Sequence, residues 1–258
     1  MSDSDMYLHM KRTLSILLAL LAAGAATSAR EVTKAALGET KYEVRYTQGI
    51  LNTKVADATI SLENDQLDGK AVLHARASIR AISIFRLFMN AEYLADAYLI
   101  PRSHEPVYYI NPIKKGGREG KFECTYDKAS GTITTLVVRP PAAPEQQTLS
   151  LDGRTMDLLS LLVYIRFTDI PDGSSRAMHL LMGGKSVAAT LTCEGGDTER
   201  FPGIGAKRFH IKMKDRGLME NGSGNEITVW CSSGSDCRIL GLETVLGSSG
   251  TMSVSVRE

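Results

Sequence analysis

No excess of either charge sign runs through this chain: 30 Lys and Arg stand against 29 Asp and Glu, a formal net charge of +1. Phosphate backbones bind to net basic surface, so the balance excludes nucleic acid as the principal partner. Long apolar runs are scarce too. The most apolar stretch, Leu14 to Ala23, is roughly half of the ~20 residues that span a bilayer. No second run is long enough, so no transmembrane segment is expected once that stretch is removed. Cysteines are few: Cys124, Cys193, Cys231 and Cys237. None lies near the N-terminal apolar stretch, so a bacterial lipoprotein anchor has no thiol to acylate. There is no C-x2-C pair and no His close by, which removes the usual signature of structural zinc.

Motifs of catalysis are missing as well. Gly183-Gly184-Lys185-Ser186 superficially resembles a phosphate loop. That pattern needs a Gly where His179 stands, and a helix where Val187 to Thr192 reads as strand. No G-x-S-x-G nucleophile elbow exists. His74, His104, His179 and His210 share no metal-ligand spacing, and His74 and His210, flanked by apolar residues, read as packed histidines. Asp65 with Asp68, and Asp169 with Asp172, fall in turn compositions, where carboxylates cap or solvate the backbone. The sequence thus assigns no catalytic residue, no metal site and no cofactor.

What is there begins with an address. Lys11 and Arg12 precede Leu14 to Ala23, and the small residues Gly24 to Ala29 follow. This is the layout of an export signal, with cleavage after Ala29 or after Ser28. Met1 to His9 is acidic for such a start, so Met10 is an alternative initiator. Residues 1–29 are expected to be a signal peptide, and residues 30–258 a single domain in the periplasm or otherwise exported. Such a compartment offers no ATP or NADH pool and permits disulfides. Cys231 and Cys237 flank the turn composition Ser-Ser-Gly-Ser-Asp and form the first candidate pair; Cys124 and Cys193 form the second. The competing reading makes all of them small buried hydrophobes.

The remainder reads mostly as strand. Tyr42, Val44 and Tyr46 alternate with Glu43 and Arg45. Thr53 to Leu62 and Lys70 to Ser78 follow, around a turn at Asn64 to Gly69. Ile79 to Asn90 fits a short helix. Glu92 to Ile100, Val107 to Ile110, Lys121 to Tyr126 and Thr132 to Val138 return to strand. Arg139 to Gln147 holds Pro140, Pro141 and Pro144, which cannot sit in a central strand; it reads as an exposed crossover and the best internal boundary. Thr155 to Phe167 is the one long helix, with Thr155 as candidate N-cap and Asp157 in the first turn. It is apolar nearly all round and so is expected to be buried against the sheet. After Pro171-Asp172-Gly173 come further strands, with a hairpin at Gly183-Gly184 and a closing hairpin over Arg238 to Val256. The fold class expected is mainly β: a strongly curved antiparallel sheet, barrel or half-barrel, with one buried and one short helix.

Several of these pieces, in this order, resemble the DUF3108 family of exported bacterial proteins of unknown function. They are Tyr42-Glu43-Val44-Arg45-Tyr46 with Gly49; Asp96 with Pro101 and the basic Gly-rich hairpin downstream; the helix Asp157 to Arg166; and Val229-Trp230 through Asp236, Arg238 and Ile239. The cysteines around the Trp230 turn, and Gly241 in place of a usual Pro, depart from the family. The resemblance implies a mainly antiparallel β structure in the cell envelope, without catalytic residues to carry over.

Asp157, Ser160, Tyr164 and Arg166 are the polar residues of the apolar helix. The first three follow i, i+3, i+7 spacing and share a face. They are candidate ligand-binding residues at a cavity mouth, against the simpler reading that they anchor the helix by buried hydrogen bonds. The expected function is non-catalytic binding of an apolar or amphipathic, lipid-like ligand, by analogy with half-barrel lipid carriers. The alternative is a scaffold for another envelope protein, bound at a sheet edge or at the Ile79 to Asn90 helix. An envelope hydrolase comes third; it needs two or more histidines to meet acidic or Ser residues in one pocket.

Overall fold

The computed structural model describes residues 29–82, 92–115, 118–151, 153–214, 224–246 and 250–257. The expected signal segment up to residue 28, and most of the expected short helix, lie outside the described residues; Ile79 to Ala81 belong to a strand.

Among the described residues, fifteen strands form one sheet. They are β1 (Gly38–Gln48), β2 (Leu51–Leu67), β3 (Lys70–Ala81), β4 (Glu92–Leu99), β5 (Pro106–Lys115), β6 (Arg118–Asp127), β7 (Thr132–Val138), β8 (Glu145–Ser150), β9 (Thr155–Met156), β10 (Ser175–Met182), β11 (Lys185–Asp197), β12 (Ala206–Met213), β13 (Glu226–Ser232), β14 (Ile239–Val245) and β15 (Thr251–Val256). Helix α1 (Leu158–Phe167) follows β9. Except for β8 and β9, neighbours in sequence are neighbours in the sheet, and β15 joins β1, so both halves of the chain share one continuous surface. All pairings are antiparallel except the two-residue contact of β9 with β10.

Local chemistry sets the register. Met182 pairs with Lys185 across Gly183 and Gly184, whose φ angles are 55° and 85°. Two positive φ values make the tight hairpin turn whose twist matches that of its strands. Asp68 and Gly69, at 52° and 74°, do the same between Leu67 and Lys70. The turn expected over Asn64 to Gly69 is therefore shorter, and β2 runs on through Leu67. The proline-rich segment after β7 connects two strands that pair with each other, Val137 opposite Glu145. It is a connection within the sheet.

The sheet is strongly curved but not closed. Its two edges, β8 and β9, are consecutive in sequence. Helix α1 plugs the interior. Leu161, Leu162 and Ile165 pack with Tyr42, Val44, Met178 and the inward residues of β11 to β13. Leu159, Val163 and Phe167, four residues apart, pack with Leu73, Ala97, Phe122 and Ile133 on the other side. Two apolar faces on one helix explain why its sequence shows so little polar face.

Helix α1 starts later than expected. Thr155 and Met156 are strand β9, and Asp157 is the N-cap, with extended φ and ψ of −76° and 168°. A carboxylate accepts from the free N–H groups of the first turn better than a threonine held in a ladder can.

Candidate functional site

The polar residues expected on the helix are all present in or beside the core, and each has its own partners. Asp157 accepts from the Ser160 N–H at 2.8 Å and from Ser160 Oγ at 2.6 Å. Tyr126 donates its hydroxyl to the same carboxylate at 3.3 Å, and accepts from the Asp157 N–H at 3.1 Å. Burial pushes the Asp157 carboxyl up, against these hydrogen bonds, which pull it down. The Tyr164 hydroxyl accepts from Arg154 and Arg176, and the Arg154 guanidinium lies 4.4 Å from the ring centre. Arg166, 9% exposed, donates to the backbone carbonyls of Cys237 at 2.6 Å, Ala36 at 2.8 Å and Asp236 at 3.4 Å. Desolvation lowers its basicity. These contacts tie α1 to β6, to the segment before β1 and to the Trp230 turn.

None of the four lines the main apolar cavity. That cavity, about 220 Å³, lies between the first turn of α1 and the curved sheet. Leu158, Leu159 and Leu162 form its helical wall. Ile60, Ala77 and Ala95 are successive register partners across β2, β3 and β4, and all three face it. Alanines opposite a leucine-rich helix leave space that no side chain fills. Tyr93 and Tyr109, with hydroxyls 3.2 Å apart, Glu243, and the Thr59–Ser78 hydroxyl pair at 2.9 Å supply its few polar groups. Ile79 and Tyr93, both exposed large hydrophobics, stand at its margin. Burial and the neighbouring Tyr93 push the Tyr109 phenol far up, so it is a neutral donor at physiological pH.

A wider concavity of about 800 Å³ lies beside the β2–β3 turn and β5–β6. Asp68, Lys70 and Thr125 line it among apolar residues. The cavity under α1, lined mostly by apolar residues of helix and sheet together, is the candidate ligand site. The sequence signal for it was faint: the alternating alanines of β3 and β4 are legible as strand, but their emptiness depends on what faces them.

The cysteine pairings are corrected. All four thiols are free and buried. Cys124 packs in the core half formed by β3 to β7, and Cys193 in the half formed by β10 to β14. Cys231 and Cys237 flank one turn, yet their side chains enter these two different halves. Cys237 sits at φ 42° and donates its thiol to the Gly234 carbonyl at 3.3 Å. Burial pushes the Cys231 thiol up to about 12, so it is unreactive as well as unpaired.

The histidines do not converge. His74 contacts Glu63, Asp65 and Asp96; His104 packs its ring 5.2 Å from Phe167; His210 lies 3.6 Å from Glu226. His179 is on β10, paired with Thr155 and Ala188. Burial lowers the His104 pKa, keeping its ring neutral in the core. Among the described residues, no helix is long and apolar enough to cross a membrane.

A solved structure with the same overall fold is the crystal structure of a beta-barrel-like protein of domain of unknown function DUF1849 from Brucella abortus. It is 11% identical, with a TM-score of 0.51, and the match covers 90% of this chain and 98% of that one. At that identity the likeness shows the fold alone. No curated protein matches the sequence. Residues 41–252, from β1 into β15, match the profile of the protein family of unknown function DUF3108, and the chain belongs to that family.

Proposed function

We propose that this protein is exported to the cell envelope and binds an apolar or amphipathic, lipid-like ligand without chemical conversion. The observation that carries the reading is the cavity under α1, walled by leucines and alanines with a few hydroxyls and one carboxylate. Small-molecule sites have this composition: mostly apolar, with a small number of placed polar groups. The size limits the ligand. At about 220 Å³ it falls below the ~300–1,000 Å³ of drug-sized sites, but exceeds the ~150 Å³ apolar cavity that holds a benzene. One short acyl segment fits; a whole two-chain lipid does not. An amphipathic ligand would place its polar end at Glu243 and the Tyr93–Tyr109 pair.

The test is native mass spectrometry of protein extracted gently from the envelope, with solvent extraction of any adduct. A fatty-acid adduct, displaced by a fluorescent acyl probe and weakened in Ala95→Leu, is the expected result. A uniformly unliganded protein that also fails to take up the probe would falsify the reading. The scaffold alternative rests on β8, a strand whose residues are almost all exposed and whose outer side, among the described residues, has no neighbour in the sheet. Crosslinking in cells that recovers no stable partner counts against it.

A further inference from the structure

Strand register assembles on the outer face of the sheet a group that sequence spacing hides. Glu63 on β2 lies directly opposite His74 on β3, and Tyr98 on β4 lies opposite His74 on the other side. Asp65 is two residues along from Glu63 and shares its face. The His74 ring stacks on Tyr98, with centroids 4.3 Å apart and planes 7° from parallel, and is only 4% exposed. Its Nε2 lies 2.8 Å from Asp96 Oδ1, which also accepts from Arg76 Nε at 2.7 Å.

That contact assigns the tautomer. A carboxylate paired with arginine is an acceptor, so Nε2 donates to it, and the neutral form of the ring has its lone pair at Nδ1. Nδ1 is buried and has no hydrogen-bond partner. It faces Glu63 Oε1 at 3.3 Å and Asp65 Oδ2 at 3.4 Å, and the three atoms lie within 4.8 Å of one another. Three electron-pair donors converge with no proton aligned between them. Ligands ~2.1 Å from one metal ion are themselves separated by roughly 3.0–3.5 Å, and the two distances from Nδ1 to the carboxylates fall in that range. The Asp96–His74 contact is the carboxylate–histidine arrangement that orients metal-binding imidazoles.

We propose that Glu63, Asp65 and His74 bind a divalent transition-metal ion of the zinc class. One imidazole nitrogen among the donors selects against calcium and magnesium, which take oxygen ligands. Glu63 and Asp65 are 63% and 45% exposed, so water completes the coordination sphere and the ion enters from solvent. The site is separate from the cavity under α1 and does not depend on it.

Tag-free protein, stripped with chelator and dialysed, is titrated calorimetrically with Zn²⁺ at neutral pH, and with Co²⁺ while its absorption spectrum is followed. The expected result is one ion per chain. Glu63→Gln and Asp65→Asn, at exposed positions that leave the fold intact, each weaken binding about tenfold or more, and Asp96→Asn weakens it about 10–100-fold. Glu92→Gln, which removes a partner of Arg80 elsewhere on the sheet, leaves it unchanged. Absence of saturable binding at millimolar ion overturns the proposal. So does an affinity that neither acidic substitution alters, or one that Glu92→Gln lowers equally.

Discussion

Asp157 and Ser160 are joined twice inside the core, backbone N–H and side-chain hydroxyl both donating to one carboxylate, at 2.8 Å and 2.6 Å. The pair starts the only α-helix among the described residues and holds it between the two halves of the sheet.

Asp157→Ala therefore removes the cap and leaves the Ser160 and Tyr126 hydroxyls without an acceptor. A lost cap costs about 1–2 kcal/mol and an orphaned buried polar group about 1–3, so the loss of stability is expected near 3 kcal/mol. Urea unfolding followed by the fluorescence of Trp230, the sole tryptophan, measures it. Asp157→Asn keeps a capping side chain and costs less.

The two variants also separate a pH effect. The native carboxyl of Asp157 is raised above its ordinary 3.8. The folded state thus holds its proton to higher pH than the unfolded state does. Stability from this group is fully present below the unfolded pKa and is lost as pH rises from 3.8 through the raised native value. Wild type should gain on Asp157→Asn as pH falls through that window. A stability difference independent of pH across the acid range contradicts this.

Arg166→Ala strands the carbonyls of Cys237, Ala36 and Asp236. At about 1 kcal/mol for each lost bond, the protein loses roughly 3 kcal/mol. Arg166→Lys recovers only part of it, because an ammonium lacks the planar fork that spreads over separate carbonyls. The same urea titration distinguishes the two variants.

Gly241 lies where a side chain has no room. A Cβ there would sit 2.9 Å from the Val254 carbonyl oxygen and 3.2 Å from the Phe201 ring. Gly241→Ala pushes β14 away from the Val254 carbonyl on β15 and displaces the Phe201 ring, at a cost of about 1–3 kcal/mol. A drop in thermal midpoint, with fluorescence of Trp230 altered through its edge contact with Phe201, is expected. An unchanged midpoint contradicts the clash with the Val254 carbonyl.

The four cysteines provide a direct chemical check. Folded protein is expected to resist alkylation, and protein unfolded without reductant should take up four alkyl groups, one per free thiol. Fewer than four means that a bond forms after all in protein recovered from cells. Intact mass of that protein tests the address as well: a chain beginning at Ala29 or Arg30 is expected, with the Arg30 N–H held 2.6 Å from the Phe167 carbonyl at the end of α1.

Much of the fold was legible from the strand alternation around Tyr42 and Val44, from the glycine pairs at hairpins, and from a helix apolar all round. These are local signals, set by backbone sterics and by which faces must be dry. The boundary errors have local causes too. Thr155 looks like a cap until β10 offers its neighbours a ladder, and Asn64 to Leu67 looks like a turn until β3 pairs with it.

By itself, the sequence determined that this chain is mainly β, balanced in charge, and built around one buried helix. Only the tertiary structure decided that Cys231 and Cys237 enter different halves of the core, that alanines face leucines across an unfilled space, and that His74 meets Glu63 and Asp65. The reason is register. Which residues touch across a sheet depends on how distant strands align, and that alignment is a sum over many weak contacts that no short stretch of sequence contains.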